Sequence, residues 1–236
     1  MNISIVVPVY NSEKSLMELN ERLIGVLEGE SYEIIFVDDA SHDASREVIE
    51  ALSRGNPQIR YIFFDRNYGQ QAAIFAGLKK SRGERVITLD DDLQHLPEDI
   101  PMILEALEDC EGIFAFPEIK PHKGYRRLGS FMTHHLFNGL FKKDKALRIS
   151  SYRGIKRSLV DRMIREEAAF VYISALMIQH SDSLKTIYHR QNQRKHGESN
   201  YNFRKLLSLY MKIIIYYGPW KGMRSNQPLY RIQREN

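Results

Sequence analysis

The chain has 236 residues, 43% of them hydrophobic and 27% charged, the make-up of one large globular domain or one domain with a small appendage. Its lone cysteine, Cys110, excludes an internal disulfide and a cysteine-based zinc site and fits a reducing compartment; no run approaches the ~18 uninterrupted apolar residues that span a bilayer. The net charge of +4 is uneven, with acids gathered in 84–111 and lysine and arginine dominating from Lys185 onward. That asymmetry fits an anionic partner for the last third, either phosphate groups or an anionic membrane surface, and charge alone fits a solvated basic face equally well. No RNA- or DNA-reading motif accompanies it, so we expect no nucleic-acid partner.

The opening "MNISIVVPVY" enters a strand-like run with no charged leader and no cleavage site, so we expect no signal peptide. Residues 3–10 read as a buried strand. Leu16, Leu19, Leu23, Ile24 and Leu27 then recur at helical spacing, with Ser12 as the expected N-cap and Glu13 in the first turn. A second strand is expected over 32–41, then a helix ended by Gly55. "IRYIFFD" is a third strand, "GQQAAIFAGLKKSRG" a third helix closing at Gly83, and "RVITLDDD" a fourth strand. Strands separated by helical patterns imply crossover units and a mostly parallel sheet, an α/β fold whose ligands bind beyond the carboxyl ends of the strands. Pro8 to Asn11, Asp38-Asp39, Asn67 and Asp90-Asp91-Asp92 all fall at those ends.

Beyond residue 112 the pattern loosens. "GIFAF" reads as a fifth strand, 124–143 as a basic amphipathic helix, and "YRGIKRSLVDRMIREE" as a short strand leading into a helix. The stretch from Lys185 reads as a basic loop feeding the apolar helix "LLSLYMKIIIYYGPW", which Lys212 interrupts and Gly218-Pro219 ends. Its flanking cations and the aromatics Tyr216, Tyr217 and Trp220 fit an interfacial helix on anionic lipid, and core packing is the alternative reading. His134 and His135 are adjacent on a helix and point in different directions, which argues for packing rather than metal binding.

Three aspartates at a strand end repel one another, and a single one would serve to cap the helix expected near Pro97. Carboxylates grouped at a pocket edge suit a hard divalent cation; Mg²⁺ in particular is held by one or two carboxylates while phosphate oxygens and water complete its shell.

"IVVPVYN" (5–11), "IIFVDDAS" (34–41), "RNYGQQAAIFAGL" (66–78) and "LDDDLQHLPED" (89–99) follow in order and together resemble the family 2 glycosyltransferases. "ISSYRGIKRSLVD" (149–161) and "RKHGESNYNFRKLL" (194–207) are similar to one branch, the dolichol-phosphate mannose synthases and bacterial polyprenyl-phosphate glycosyltransferases. The resemblance covers roughly residues 3–210. It implies a GT-A, Rossmann-like sheet flanked by helices; with the helical pattern above we expect a domain over 1–205 and an amphipathic helix and tail over 206–236, either interfacial or packed on the core.

It further implies that Asp90 and Asp92 bridge Mg²⁺ or Mn²⁺ to the diphosphate of a UDP- or GDP-linked sugar, with Asp91 at the variable middle position tuning the charge. Gln94 would lie close to metal and sugar. Asp39 or Asp38 would bond the nucleobase; Pro8, Tyr10 and Glu13 would line base and ribose; and Asn67 and Gly69 would let the backbone approach the nucleotide. Arg194, His196, Ser199 and Tyr201 match an element that gathers donor and acceptor phosphates, and Arg153 a further anion contact. Asp92, Gln94 and Arg194 are the residues expected to serve the reaction, an inverting transfer to a polyprenyl phosphate at the cytoplasmic face of a membrane.

Two positions depart from the branch. Gln70 stands where lysine is frequent, and Ser150 and Ser151 stand where an acid usually precedes the arginine. A phosphate acceptor, already ionised, tolerates that loss better than a hydroxyl does. A transferase acting on a saccharide or lipid-linked saccharide, and a non-catalytic nucleotide-sugar-binding module, share the N-terminal motifs. The sugar, the base and the oligomeric state, with a homodimer among the choices, stay open at this level.

Overall fold

The computed structural model describes residues 1–118, 146–166, 169–189, 203–218 and 228–236. The helix expected over 124–143 lies outside them, as do Arg194, His196, Ser199, Tyr201 and Trp220. Strands β1 (Ile3–Val9), β2 (Tyr32–Asp38), β3 (Ile59–Phe64) and β4 (Arg85–Thr88) alternate with helices α1 (Leu16–Val26), α2 (Ser45–Gly55) and α3 (Gln70–Lys80). Then follow α4 (Ile100–Ala106), β5 (Gly112–Pro117), β6 (Arg153–Lys156), α5 (Arg157–Met163), α6 (Ile173–His180), β7 (Leu184–His189), α7 (Phe203–Tyr217) and β8 (Ile232–Glu235).

The eight strands form one sheet in the order β7-β5-β6-β4-β1-β2-β3-β8. β3, β2, β1 and β4 are mutually parallel, β6 runs antiparallel to both β4 and β5, β7 is parallel to β5, and β8 is antiparallel to β3. The expected mostly parallel α/β sheet is therefore present.

Strand alternation divides the core in two. Val6, Ile35 and Val37 face one layer with Ala73, Leu78, Leu159, Met177 and Ile213. Ile5, Val7, Ile34 and Phe36 face the other with Leu16, Leu23, Ile49, Ile100 and Ile103. Both layers are fully buried, which is why the central strands read as continuous apolar runs. Because β1, β2 and β4 are parallel, the loops that follow them leave the same end of the sheet.

Four details differ from the sequence reading. Helix α1 begins at Leu16, not after Ser12; Ser12 accepts the Ser15 and Leu16 N–H groups through its carbonyl and turns its hydroxyl elsewhere. Strand β4 stops at Thr88, so the three aspartates belong to a loop rather than to a strand end. The segment from Lys185 begins as β7, an edge strand, before the basic stretch. Residues 232–235, placed in a separate tail, supply β8 to the common sheet, and Ile213 and Tyr217 of α7 sit in its core.

Candidate active site

The loops beyond β1, β2 and β4 meet along one wall of a cleft of about 1240 Å³. Each contains one non-glycine residue in the left-handed region, Asn11 at φ 54°, Ala40 at φ 60° and Leu93 at φ 62°. Such a conformation costs roughly 1 kcal/mol or more per residue and persists only where the surroundings over-determine it. Here the surroundings are a dense hydrogen-bond lattice. The β1 loop is tied to the β2 loop by Asn11 N–H to Ser41 Oγ at 2.9 Å, His42 N–H to Asn11 Oδ1 at 2.8 Å, and Ser12 N–H to Ser45 Oγ at 2.9 Å. Glu13 and Asp43 complete it reciprocally, Glu13 N–H donating to Asp43 and Glu13 Oε2 accepting from Ala44 N–H at 2.9 Å.

The three aspartates point to three different jobs. Asp90 accepts at Oδ1 from Gln70 Nε2 at 2.6 Å and at Oδ2 from Ser151 Oγ at 2.9 Å. Asp91 turns its carboxylate inward onto the β1 loop, taking both the Ser12 hydroxyl and, at 3.2 Å, the Tyr10 N–H. Burial pushes its pKa up to about 7, and Asp90 and Asp92 add to the rise. Asp92 caps the turn that follows, accepting Gln94 N–H at 3.1 Å.

Neutral groups thus face Asp90 and Asp91. Among the described residues no lysine or arginine pairs with either. A lysine in place of Gln70, or an acid in place of Ser151, would change that balance in opposite directions.

The donor set fits a hard cation held jointly with a ligand. Asp90 and Asp92 both line the cleft with oxygens. Among the described residues no cluster of three or more acidic, histidine or cysteine side chains could enclose a metal alone.

The β2 aspartates are turned away from the cleft. Asp38 is fully buried and accepts Arg46 Nε at 2.6 Å and Ser41 N–H at 3.1 Å. Asp39 holds the loop after β3, its two oxygens accepting Tyr68 N–H at 2.6 Å and Gly69 N–H at 2.8 Å. Burial raises Asp39 to about 6 despite those donors. Gly69 adopts φ 92° there, open to glycine and strained for other residues.

Tyr10, Glu13, Gly69, Asp90, Asp91, Asp92 and Arg153 are therefore brought together on the cleft. Pro8 is buried in β1, Asn67 donates to the Asp39 carbonyl at 3.2 Å, and Gln94 lies in the turn behind Asp92; with Asp38 and Asp39 these form the support beneath the wall. Arg194 and Ser199 lie outside the described residues.

Arg153 is the floor. Its guanidinium is fully buried, donating to the Ser151 carbonyl at 3.0 Å and Ser174 Oγ at 3.2 Å, while Nε has no partner among the described residues. Burial lowers its pKa. The cleft also has an apolar wall of Ile149, Phe170, Val171, Leu209, Tyr216 and Leu229, with the Lys212 ammonium 5.8 Å from the Phe170 ring centroid.

Sequence reasoning did not nominate Arg66, Tyr68, Asp43, Phe170 or Lys212 as site residues. Arg66 and Tyr68 carried a usable signal, since both flank Asn67 in a quoted motif. The apolar wall did not, because the segment before α6, helix α7 and the stretch near Leu229 contribute to it from separated parts of the chain.

A comparison with known proteins decides the family. The family model for glycosyl transferase family 2 matches residues 4–164, the span that contains every loop of the acid wall. The chain belongs to glycosyl transferase family 2. Within this family it is 34% identical over 220 residues to an undecaprenyl-phosphate 4-deoxy-4-formamido-L-arabinose transferase of Edwardsiella ictaluri, covering 90% of this chain and 66% of that one. The like-named protein of Pseudomonas aeruginosa is 36% identical over 222 residues, covering 90% and 64%. The chain thus spans just under two thirds of the length of these curated relatives.

Among solved structures, glucosyl-3-phosphoglycerate synthase of Mycobacterium tuberculosis, crystallised with Mn²⁺, UDP and glucosyl-3-phosphoglycerate, superposes with a TM-score of 0.70 at 18% identity, covering 96% of this chain and 87% of that one. TarS of Staphylococcus aureus gives 0.59 at 17% identity, covering 92% and 40%. At these identities the likeness bears on the fold, which is the mixed α/β GT-A sheet of family 2.

Proposed function

We propose that this chain transfers a sugar, with inversion, from a nucleotide-diphosphate donor to a polyprenyl phosphate. The observation that carries the reading is that one cleft is lined by Asp90, Asp91 and Asp92, by buried Arg153, and by apolar side chains including Phe170, Val171 and Leu209. The names borne by relatives 34–36% identical over 90% of the chain support the acceptor class. The Mn²⁺ and UDP in the solved neighbour support the donor class at the level of fold.

Asp90 and Asp92 would hold Mg²⁺ or Mn²⁺ against the donor diphosphate. When bound, that cation neutralises the charge of the departing diphosphate. Tyr10, Glu13 and Gly69 would border the nucleoside, on loops whose geometry Asp39 and Asp91 maintain. An oxygen of the acceptor phosphate forms the bond to the anomeric carbon. The bond from that carbon to the β-phosphate oxygen breaks, and the nucleoside diphosphate leaves with the electron pair. Because the acceptor is already an anion, no carboxylate base is needed where Ser150 and Ser151 stand.

Arg153, together with Arg194 and Ser199 of the basic stretch, would balance phosphate charge. Lys212 and the aromatic wall suit a lipid phosphate that enters from a membrane surface. Among the described residues no helix is long and apolar enough to cross a membrane, and the exposed side of α7 around Met211 and Lys212 would rest on it at the cytoplasmic face.

Radiolabelled UDP- and GDP-sugars, incubated with Mn²⁺ and undecaprenyl phosphate and then extracted into organic solvent, test the reading. Label in the organic phase that disappears with Asp92→Ala supports it. Label confined to a soluble saccharide would assign the other acceptor class, and no turnover of any donor would leave a binding module.

A further inference from the structure

The acid loop needs an anchor that the sheet does not provide. The last β4 residues are held by the ladder, and Leu89 N–H still reaches the Val6 carbonyl at 3.3 Å. Asp90 is the first residue beyond that reach, and its main-chain N–H donates instead to Nδ1 of His95, at 3.1 Å. The loop folds back to make this bond through Leu93, which is buried and left-handed.

His95 is itself held in a closed aromatic setting. The ring is buried, stacks on Tyr152 with centroids 4.8 Å apart and planes 24° apart, and meets the His189 ring edge-on at 6.1 Å. Tyr152 is fixed by its hydroxyl donating to the Leu96 carbonyl at 2.8 Å, and His189 by Asp99, 3.1 Å from its Nδ1. Asp90, His189, Asp92 and Arg153 are the groups whose charge acts on the ring. The ring therefore has one rotamer, and its acceptor nitrogen faces the backbone of the first cleft aspartate.

We propose that His95 is a positioning residue for Asp90: through the Asp90 main-chain N–H it fixes where the Asp90 carboxylate stands on the cleft wall, and hence the affinity of that wall for a divalent cation. This rests on the reading that Asp90 and Asp92 hold the cation. A part-buried N–H stripped of its acceptor is left unpaired, which the loop can relieve by moving. Groups that orient a ligating carboxylate from behind typically change metal affinity by roughly 10–100-fold when removed.

The test measures Mn²⁺ binding by the loss of the free-ion electron paramagnetic resonance signal, with and without UDP or GDP, in wild type and three variants. His95→Asn keeps an acceptor near the Nδ1 position and is expected to bind within about threefold of wild type. His95→Phe keeps the stacking but has no acceptor, and His95→Gln carries its acceptor one bond further out; both are expected to lose about tenfold or more.

A purely structural role would make Phe the mildest substitution and Asn no rescue. That order, or equal binding by all three, overturns the inference while wild-type binding keeps the reading of the site intact. Wild type that ignores Mn²⁺ overturns both. Should the Phe and Gln variants fail to fold, ¹⁵N resonances of wild-type His95 decide: the proton is expected on Nε2 with Nδ1 bare and hydrogen-bonded, and a protonated Nδ1 contradicts the proposal.

Discussion

At the scale of single residues, adjacent acids of one sign do unlike work because their backbones aim them differently. In the first acidic pair Asp38 anchors Arg46, whereas Asp39 grips two amides of the next loop. An unfolded aspartate titrates near 3.8, and burial lifts Asp39 to about 6. The folded chain thus takes up this proton first as pH falls. Asp39 contributes stability that grows as pH drops through about 6 and is complete below the unfolded value. Asp39→Asn removes that gain, so the gap in urea midpoint between wild type and variant should widen from about pH 7.5 to about pH 5. A gap independent of pH would show that Asp39 titrates normally. The residue types of the site were legible in sequence, because acids at strand ends have few structural uses. Their directions were not. Nothing in "DDD" says that its middle member faces the β1 loop, since that depends on Leu93 entering the left-handed region.

Among elements, the four parallel strands could be read because both their faces are buried, so hydrophobicity alone marks them. β7 could not. It pairs on one side only, sets Lys185, Thr186 and His189 among few apolar residues with no regular alternation, and so looks like the start of a basic loop. β8 has four exposed residues and no apolar signal at all. Helix α3 was placed correctly, and its packing explains a small residue inside it. A Cβ on Gly77 would stand 2.3 Å from Val6 Cγ1, so α3 lies on β1 with no room for a methyl group. Gly77→Ala is expected to lower stability by about 1–3 kcal/mol in chemical denaturation, against the small gain that alanine brings to an unconstrained helix. Unchanged or increased stability would mean that α3 can slide on the sheet.

At the scale of the whole molecule, the last residues close the sheet and border the cleft. Tyr230 stacks on Phe64 at 5.0 Å, Arg46 joins Asp38 to Gln233, Lys80 pairs with Glu235, and Leu229 lines the apolar wall. Removing 228–236 is therefore expected to lower Tm by about 5–10 °C, equivalent to a few kcal/mol in a chain of this length, and an unaltered Tm would show that β8 adds nothing to the fold. The whole arrangement rests on one cleft that takes a cation and a nucleotide sugar together. Titration calorimetry with UDP- and GDP-sugars measures this directly, with and without Mn²⁺, on wild type and Asp92→Ala. The account predicts saturable binding of one donor class by wild type, weakened at least about tenfold when either Mn²⁺ or the Asp92 carboxylate is withdrawn. Binding indifferent to the metal, or no heat from any nucleotide sugar, would contradict it.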